Sequence, residues 1–375
     1  MVKSNLKSNL SLPGRMKIAF KDIKIDCRQF KGDIPCKPHK QDGAHCIDEY
    51  GVVCKHYDPT NKKVLIIKLG AIGDVIRTTP ILRKLKTVEP DSEIWWLTLS
   101  PEVIPKIVDV ILPFSVQSLA VVQAFKFDLV FNLDKDKDAC AICSTIPAQT
   151  KKGFTMSNGK CIPCDALAHH KYITGLFDDI SKSNNKSYQQ EIFEMCGYEF
   201  TSEEYIMPEF ENYSWKLPRK KKIVGLNTGC GGRWTSRLWP EKNWIMLARR
   251  LIKAGFVPLF LGGEQEHKKN LMLAKQSGGL YLGHFPLQQF MSEVNHCDLV
   301  VTAVTMAMHI AIGLRKKVVL FNNIFNKNEF ELYGRGEIIE PEFECDCYYS
   351  PECANNCMQY ITVERTFNTV LSLLK

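Results

Sequence analysis

The sequence predicts an α/β protein made of two successive doubly wound, Rossmann-like domains that face a cleft. Short, almost wholly apolar runs alternate with amphipathic helical patterns, and this alternation starts twice, near residue 62 and again near residue 223. At 375 residues the chain is long enough for two or three domains. Its 45% apolar and 24% charged residues are ordinary for a globular protein, which argues against collagen, a long coiled coil or general disorder.

The first α/β pattern opens with the apolar run at residues 62–69, which we expect to be a parallel strand buried on both faces. A glycine-containing turn follows at 70–74. The next helix is expected to bury four apolar residues, Val75, Ile76, Leu82 and Leu85. Further strands are predicted at 93–99 and 128–133, so strands and helices alternate as they do in a doubly wound sheet.

The second pattern opens with a strand at 223–227 and a glycine-rich turn. Pro240 then stands at a first-turn position of a helix, where its missing N–H costs nothing. That helix is expected to bury Trp244, Leu247, Ala248 and Leu251. Four more strands are predicted, at 258–263, 279–283, 298–303 and 317–322, with a helix at 306–314 before the last of them. The strand at 317–322 is expected to complete the sheet.

Composition divides the chain into four segments. Residues 1–61 form a polar leader with a cysteine-rich extension, and residues 62–217 form the first Rossmann-like domain. Residues 218–340 form the second such domain, which opens with a basic linker. Residues 341–375 form a second cysteine-rich segment that ends in an amphipathic helix.

The charge balance narrows the set of partners. The formal net charge of +8 comes from 49 Lys and Arg against 41 Asp and Glu, and the excess is spread along the chain. Such a balance suits a phosphate-bearing ligand or an anionic membrane surface. Nucleic acid is not an expected partner, because the basic residues are dispersed and form no recognisable reading module. The apolar runs are also far shorter than the roughly 20 residues that span a bilayer.

Fifteen cysteines are unusual for a chain that is long enough to bury a core without disulfides. The first residues hold no apolar stretch suited to secretion, so a cytoplasmic location is expected. In that compartment cysteine clusters usually bind metal or carry out redox chemistry. Four thiols crowd into 13 residues near the C-terminus, at Cys345, Cys347, Cys353 and Cys357. This density predicts a zinc or iron site.

Two other cysteine groups are less decisive. Cys140 and Cys143, with Cys161 and Cys164, have the spacing of a zinc ribbon. Four cysteines in the N-terminal extension are more widely spaced and leave metal binding open, namely Cys27, Cys36, Cys46 and Cys54, with His39, His45 and His56 nearby. Cys196 and Cys297 stand alone and are expected to be core residues.

Two loops at the ends of predicted strands suit an anionic ligand. In the loop at 227–237, glycines would allow backbone N–H groups to approach a ligand, and Arg233 and Arg237 could bind phosphate oxygens. The loop at 302–309 leads from a strand into a helix, where free N–H groups attract anions. A plain buried turn is the alternative for the second loop.

Asp74 stands at the strand–glycine–helix junction of the first domain, on the side of the expected cleft. Two interpretations are open for its carboxylate. One is a cap for the following helix. The other is a general base for the hydroxyl of an acceptor, a role that contributes roughly 10²–10⁴-fold to a rate.

Five segments resemble glycosyltransferase family 9, the heptosyltransferase family. The opening KVLIIKLGAIGDVIRTTPIL is similar to the start of that family. Four later segments resemble its second half in order: RWTSRLWPEKNWIMLARRL, LFLGGEQE, VVTAVTMAMHIAIGL and CMQYITVERTFNTV. The resemblance covers roughly residues 62–375. It implies the GT-B fold and inverting transfer of a sugar, such as heptose from ADP-heptose, to a surface-glycan, lipopolysaccharide or protein acceptor.

The resemblance also implies roles for individual residues. Asp74 matches the catalytic base, and Arg237 matches a basic residue that stabilises the donor diphosphate. The other implied donor-binding residues are Thr228, Glu266, Thr305 and His309. The first domain would bind the acceptor, and the second would bind the donor.

Some positions depart from the family pattern. The Asp and Gly of its last loop are Val304 and Met306 here, and its Phe-Gly-Pro-type turn is replaced by residues 321–326. We interpret these changes as a subfamily with an altered pocket; the alternative is a non-catalytic, metal-binding GT-B scaffold that has lost its donor site. The cysteine-rich ends resemble the iron-bearing heptosyltransferases that modify autotransporter proteins.

Catalysis is expected to need no metal, so any bound zinc or iron would be structural. The only aspartate-rich run, with Asp134, Asp136 and Asp138, alternates with lysines and is interpreted as a solvated loop. The acceptor is expected to meet residues 90–210 and to be a glycan, a lipid-linked sugar or a protein. A location at the inner face of the cytoplasmic membrane would suit a lipid-linked acceptor.

Overall fold

The computed structural model describes residues 18–218, 220–343 and 345–375. The predicted polar leader up to residue 17 lies outside these ranges, as does Arg219 within the predicted linker. In the described residues, none of the helices has the length and apolar character needed to cross a membrane.

The described residues form two six-stranded sheets. The strands of the first sheet are β1 Lys62–Ile67, β2 Ser92–Thr98, β3 Val110–Pro113, β4 Phe127–Asn132, β5 Ala148–Ser157 and β6 Lys160–Pro163. The strands of the second sheet are β7 Ile223–Asn227, β8 Val257–Leu261, β9 Leu280–Tyr281, β10 Leu299–Ala303, β11 Lys317–Phe321 and β12 Gly336–Ile339.

The first sheet has the order β3-β2-β1-β4-β5-β6, and the second has the order β12-β11-β10-β7-β8-β9. All neighbouring strands are parallel except β5 and β6, which form an antiparallel hairpin. In each sheet the order reverses beside the first strand, between β1 and β4 and between β7 and β10. This is the Rossmann-like arrangement, and ligands of such sheets bind at the carboxyl ends of the strands at this reversal. The prediction of two doubly wound domains is confirmed.

The helices of the first half are α1 Lys37–Asp42, α2 Ile72–Thr78, α3 Ile81–Val88, α4 Val116–Ala124, α5 Lys137–Thr145, α6 His169–Thr174, α7 Asp178–Ser183 and α8 Tyr188–Cys196. The helices of the second half are α9 Glu241–Lys253, α10 His267–Ser277, α11 Leu287–Asn295, α12 Met306–Gly313 and α13 Val363–Leu374. The C-terminal helix α13 packs against α9, so the end of the chain completes the helical layer of the second sheet.

The apolar pattern correctly locates the core. Residues 64–67 of β1 are wholly buried, as are all five residues of β7, β8 and β10. The four apolar positions predicted for α9 are buried as well. Pro240 stands one residue before α9, as its N-cap, rather than inside its first turn as predicted.

Several elements differ from the prediction. The single helix expected after β1 is divided into α2 and α3, with Pro80 at the start of the second. A further strand, β12, follows the strand predicted to be the last. Both β12 and β5 are only partly buried along their length, so they lack the continuous apolar run of a central strand.

The two sheets are joined through a direct helix contact. Helix α2 packs against α12, and a Cβ atom added to Gly73 would lie 2.6 Å from Cδ2 of His309. This glycine therefore permits the close approach of the two halves. The segment between α8 and β7 connects the two halves and is held by each of them. Ile206 N–H donates to Thr79 Oγ1 in the first half (2.9 Å), and Tyr213 N–H donates to Ser292 Oγ in the second (2.8 Å).

Candidate active site

A cleft of about 830 Å³ lies between the carboxyl ends of the two sheets. Five of the seven residues predicted for catalysis or donor binding line it: Asp74, Arg237, Glu266, Thr305 and His309. We call the face formed by Asp74, Arg77 and the side chains they contact the α2 wall. The opposite face, formed by Arg237, Glu266 and the start of α12, is called the α12 wall.

Asp74 lies in the first turn of α2 and makes no capping hydrogen bond, so the interpretation as a helix cap is not supported. Its Oδ1 lies 2.8 Å from Nη2 of Arg77, and its side chain remains 36% exposed to the cleft. Burial alone would raise the pKa of Asp74, but the charges of Arg77 and Lys68 outweigh it and lower the pKa to about 2. The carboxylate is therefore ionised near neutral pH.

Besides Asp74, two further residues hold Arg77. Its guanidinium stacks 3.6 Å from the ring centroid of Tyr188, and Nη1 lies 4.0 Å from Oε2 of Glu329. Lys171 Nζ also lies 5.0 Å from the ring centroid of Tyr188, and it pairs with the buried Glu191. Burial raises the pKa of Glu329, although Lys171 and Arg77 oppose that shift. The α2 wall thus carries alternating cations and carboxylates that neutralise one another.

Two buried charges fix the turn that leads to Asp74. Lys68, at the end of β1, pairs with Asp134, which also accepts hydrogen bonds from Leu69 N–H (2.5 Å) and Gly70 N–H (2.9 Å). The prediction of a solvated loop is therefore wrong for Asp134, which is 7% exposed, whereas Asp136 and Asp138 are exposed. Asp134 can be buried because Lys68, which follows a different strand, supplies the counter-ion that a buried charge needs.

Arg237 dominates the α12 wall. Its side chain is buried, donates to the carbonyl of Val304 and donates to the carbonyl of Cys230 at 2.9 Å. Its Nε has no hydrogen-bond partner among the described residues, and no carboxylate there forms an ion pair with it. Burial lowers its pKa, and the nearby thiol of Cys230 opposes this shift only in part. A buried cation in this state is suited to a phosphate ligand.

Glu266 reaches the cleft through a close approach of two loops. A Cβ atom on Gly229 would lie 2.3 Å from Cδ of Glu266, so a larger residue here would displace the Glu266 carboxylate from its observed place. Oε2 of Glu266 accepts a hydrogen bond from Gly263 N–H at 3.0 Å, which leaves its other oxygen available to a ligand.

Thr305 and His309 lie at the start of α12. Thr305 is the N-cap residue, but its side chain makes no capping bond and instead accepts from Asn227 Nδ2 at 3.3 Å. The start of α12 therefore offers N–H groups and a partial positive charge to the cleft. His309 is buried and contacts Tyr205 OH through Nδ1 at 3.4 Å. Burial and the charge of Arg77 lower the pKa of His309 to about 3, so the ring is neutral.

Two predicted donor residues lie away from the cleft. The side chain of Thr228 is buried and donates to Asn270 Oδ1 at 2.6 Å, which turns it toward α10. Arg233 is exposed, and its guanidinium lies 5.2 Å from the ring of Trp234. The structure therefore does not bring Thr228 or Arg233 into the site with Arg237.

The four C-terminal cysteines form a compact cluster. Their Sγ atoms all lie within 4.8 Å of one another, with Cys345 and Cys353 at 3.5 Å and Cys347 and Cys357 at 3.5 Å. The backbone N–H of Cys357 also donates to Cys353 Sγ at 3.4 Å. Four thiols at this spacing suit tetrahedral zinc or iron, so the residues present could hold such an ion.

This cysteine cluster supports the α12 wall. Ser236 donates through N–H to the carbonyl of Pro351 (2.9 Å) and through Oγ to the carbonyl of Ser350 (2.7 Å). Asn323 Nδ2 adds a third link by donating to the carbonyl of Ser236 at 2.9 Å. The loop that carries Arg237 is therefore tied directly to the loop between the cysteines.

The same cysteine loop places an aromatic side chain at the cleft. Tyr349 lines the cleft, and its ring meets those of Trp234 and Phe325 edge-on, at 5.6 Å in each case. The guanidinium of Arg237 lies 5.7 Å from the rings of both Trp234 and Phe325. The cluster therefore shapes the surroundings of Arg237 as well as its backbone.

The four central cysteines of the predicted zinc ribbon lie in two pairs. Cys140 and Cys143 lie on α5, and their thiols pair with those of Cys161 and Cys164. Burial and the hydrogen bond with Cys161 raise the pKa of Cys140. Among the described residues, these four do not gather within the 4.8 Å that contains the C-terminal cluster. Cys196 and Cys297 are buried, as predicted.

Comparison with known proteins identifies the family. The model for glycosyltransferase family 9 (heptosyltransferase) matches residues 122–335, which is more than half of the chain. The chain therefore belongs to glycosyltransferase family 9, and it is a glycosyltransferase. The matched range includes Arg237 and His309 but begins after Asp74. No curated protein sequence matches the chain.

Solved structures agree on the fold. A glycosyl transferase family 9 protein from Veillonella parvula has a TM-score of 0.65 at 18% identity, covering 84% of this chain and 97% of that one. Heptosyltransferase II of E. coli, an ADP-heptose lipopolysaccharide enzyme, has a TM-score of 0.60 at 16% identity, covering 83% and 98%. The iron-containing dodecameric glycosyltransferase TibC of enterotoxigenic E. coli has a TM-score of 0.52 at 11% identity, covering 88% and 81%. The predicted GT-B fold is confirmed.

Sequence reasoning missed several residues that line the cleft, among them Arg77, Glu329 and Tyr349. Arg77 follows Asp74 by three positions, and this helical spacing could have indicated an ion pair. Glu329 lies in a loop without periodicity, and Tyr349 reaches the cleft only because the cysteine cluster folds its loop back. No local sequence signal points to either of these two residues.

Proposed function

We propose that this glycosyltransferase moves a sugar, heptose in particular, from a nucleotide-diphosphate donor such as ADP-heptose to an acceptor hydroxyl, with inversion at the anomeric carbon. One observation carries the proposal: the carboxylate of Asp74 and the cation of Arg237 line the same cleft from opposite sheets. Such a pair can supply a base for the acceptor and a positive charge for the leaving group.

The donor would bind on the α12 wall. The diphosphate is proposed to meet Arg237 and the start of α12, where a cation and free N–H groups face the cleft. Glu266 would accept hydrogen bonds from the ribose hydroxyls through its available oxygen. The aromatic rings of Phe285 and Phe290 line the same cleft and offer an apolar surface for the base.

In the proposed reaction, the acceptor oxygen attacks the anomeric carbon while the bond from that carbon to the diphosphate oxygen breaks. The electron pair leaves with the diphosphate, whose growing negative charge Arg237 stabilises. The hydroxyl proton passes to Asp74. A pKa of about 2 makes this carboxylate a weak base in the empty cleft. The negative charge of a bound diphosphate would raise the pKa of Asp74 and strengthen the base when it is needed.

The acceptor would lie against the α2 wall. Arg77, Lys171 and Glu329 surround Asp74 there and provide both donors and acceptors for sugar hydroxyls or acidic groups. A surface glycan, a lipopolysaccharide sugar and a protein hydroxyl are the proposed acceptor classes. The charge of +8 supports a cytoplasmic enzyme that meets lipid-linked acceptors at the anionic inner face of the membrane.

The C-terminal cysteine cluster is proposed to hold a structural zinc or iron ion. Bound there, the ion would supply charge and fixed coordination geometry, and no catalytic step would involve it. Its own contacts support a positioning role, because the loop between Cys347 and Cys353 binds the loop that carries Arg237. A non-catalytic scaffold is not favoured, since Asp74 and Arg237 share one cleft.

The decisive experiment compares Asp74→Asn with the parent enzyme, using ADP-heptose and following ADP release in the presence of candidate acceptors. We expect kcat to fall by about 10²–10⁴-fold, because the amide cannot take the hydroxyl proton. Asp136→Asn is the matched control, since Asp136 is an exposed carboxylate outside the cleft. If Asp74→Asn keeps its rate within a few-fold, Asp74 is not the base.

A further inference from the structure

The N-terminal extension from residue 18 to 61 is folded without a hydrophobic core of its own. Pro38 is its only buried residue, and none of its side chains joins the apolar clusters under the two sheets. Large apolar side chains in it are exposed, including Phe20 at 78% and Tyr50 at 83%. A segment of this size without a core usually needs a disulfide or a metal to hold one structure.

The extension nevertheless has a defined backbone. Cys54 N–H donates to the carbonyl of Cys46 at 3.0 Å, and isolated bridges join Cys27 to Pro59 and Ile47 to Val53. Arg28 connects the extension to the first sheet, with Nη1 at 2.9 Å from the carbonyl of Ser92. Further hydrogen bonds join its turns, such as Thr60 N–H to the carbonyl of Asp26 at 2.9 Å, but they supply no apolar interior.

Four cysteines occupy that interior. Cys27, Cys36, Cys46 and Cys54 all line one small cavity of about 30 Å³, which is room for a single ion or water molecule. The widely spaced cysteines of the sequence are thus brought to one place by the fold. They are more spread out than the C-terminal cluster, so an ion would have to draw the thiols closer together.

One ring nitrogen each of His56 and His39 is engaged, and His45 lines the same cavity, so four thiols outnumber the imidazoles as candidate ligands. His56 Nε2 lies 3.1 Å from Oδ2 of Asp42, and His39 Nδ1 lies 3.1 Å from the carbonyl of Ala44. The ring of His45 packs edge-on against His39 at 5.3 Å. The backbone N–H of His56 donates to Cys54 Sγ at 3.4 Å, the same kind of N–H to sulfur contact that Cys353 accepts in the C-terminal cluster. Such a bond stabilises a thiolate.

From this geometry we infer that Cys27, Cys36, Cys46 and Cys54 form a second structural metal site, which binds one zinc or ferrous ion as a tetrathiolate. The ion replaces the missing core, so its binding free energy becomes folding free energy of the extension. This site is separate from the C-terminal cluster and does not depend on the proposed transfer reaction.

Metal content of the full-length protein tests the inference. The parent chain is expected to carry about two equivalents of metal, and Cys345→Ser with Cys357→Ser should leave about one. Cys27→Ser with Cys54→Ser should also leave about one, and Cys196→Ala is the control that should keep both. If the first double variant folds and holds no metal, the N-terminal site does not exist. The identity of the retained ion, by elemental analysis, distinguishes zinc from iron.

A second measurement on the unaltered chain covers the case in which a variant fails to fold. Alkylation mapped by mass spectrometry should find the four N-terminal cysteines protected in the native protein and reactive once a chelator is added, without any reductant. Protection that ends only after a reductant is added would mean that the four thiols are two disulfides, and it would overturn the inference.

Discussion

The two walls of the cleft carry charge in different ways. On the α2 wall, Asp74 pairs with Arg77 and Lys171 pairs with Glu191, so each charge has a partner within the protein. On the α12 wall, Arg237 is bonded only to backbone carbonyls and has no carboxylate partner among the described residues. An anionic ligand would complete the α12 wall, whereas the α2 wall is complete beforehand. The contrast supports the proposal that the α12 wall binds the charged donor and the α2 wall holds the base.

Replacing the cation of the α12 wall should have the largest effect on this contrast. We expect Arg237→Met to lower kcat/KM for the sugar-nucleotide donor by about 10²–10³-fold, because the diphosphate loses its buried charge partner. The measurement is a steady-state assay over donor concentration. Arg233→Met is the matched control, since the exposed Arg233 lies outside the cleft and should change the ratio little. Equal losses in both variants would show that the buried Arg237 matters no more to the donor than the exposed Arg233 does.

The support of the α12 wall can be tested from the cysteine side. Cys345→Ser with Cys357→Ser should loosen the loop that binds Ser236 and so displace Arg237. Two hydrogen bonds of about 1 kcal/mol each correspond to roughly 30-fold weaker ADP binding, measured by calorimetry. Cys27→Ser with Cys54→Ser should leave ADP affinity unchanged, because no hydrogen bond joins the described part of the extension, residues 18–61, to this loop. Unaltered binding in the C-terminal variant would show that the cluster does not position Arg237.

The contact between the walls depends on a glycine. Gly73→Ala should force His309 away from α2, because the new Cβ would lie 2.6 Å from its ring. Overpacking of this kind costs about 1–3 kcal/mol of folding stability, so we expect a lower melting temperature, and kcat should fall because His309 is displaced at the cleft. Gly232→Ala is the comparison, since its Cβ would meet only ordinary contacts at 3.6 Å or more. Normal turnover by Gly73→Ala would mean that the walls need not approach this closely.

The last expected effect concerns stability and is confined to acid pH, so it is absent under neutral assay conditions. The folded protein holds the pKa of His309 at about 3, below the ordinary 6.5, so unfolding takes up a proton between these values. Stability should therefore fall as the pH drops from about 6.5 toward 3, by up to about 1.4 kcal/mol per pH unit from this group. His309→Gln removes the group that takes up this proton. The melting temperature of this variant should therefore fall less steeply than that of the parent as the pH is lowered. Parallel curves for the two proteins would contradict a buried neutral imidazole.

Much of the fold can be predicted from the sequence because buried parallel strands are continuous apolar runs. β1, β7, β8 and β10 have such runs, and the predicted strands lie within about two residues of their observed bounds. The edge strand β12 and the long strand β5 are not predicted, because partly buried strands mix polar and apolar residues without a clear period. The cores of sheets are therefore predictable from sequence, and their edges are much less so.

The site is predictable only where a residue follows a predicted strand. Asp74, Arg237 and His309 are correctly expected in the cleft because they lie in turns at the carboxyl ends of strands. Thr228 is not, because the direction of one side chain in a turn depends on its partner, Asn270, on a distant helix. The burial of Asp134 likewise depends on Lys68, which is 66 residues away in sequence. Pairs of residues that lie so far apart in the sequence leave no local sequence pattern by which they could be predicted.

Calorimetric titration of ADP into Asp74→Asn and Arg237→Met, side by side with the parent enzyme, tests the division between the two walls most directly. We predict that Asp74→Asn binds ADP at least as tightly as the parent, because it loses a negative charge, although its turnover collapses. Arg237→Met should bind ADP far more weakly. If both variants lose affinity to the same degree, or if Arg237→Met binds ADP as the parent does, the donor does not lie on the α12 wall.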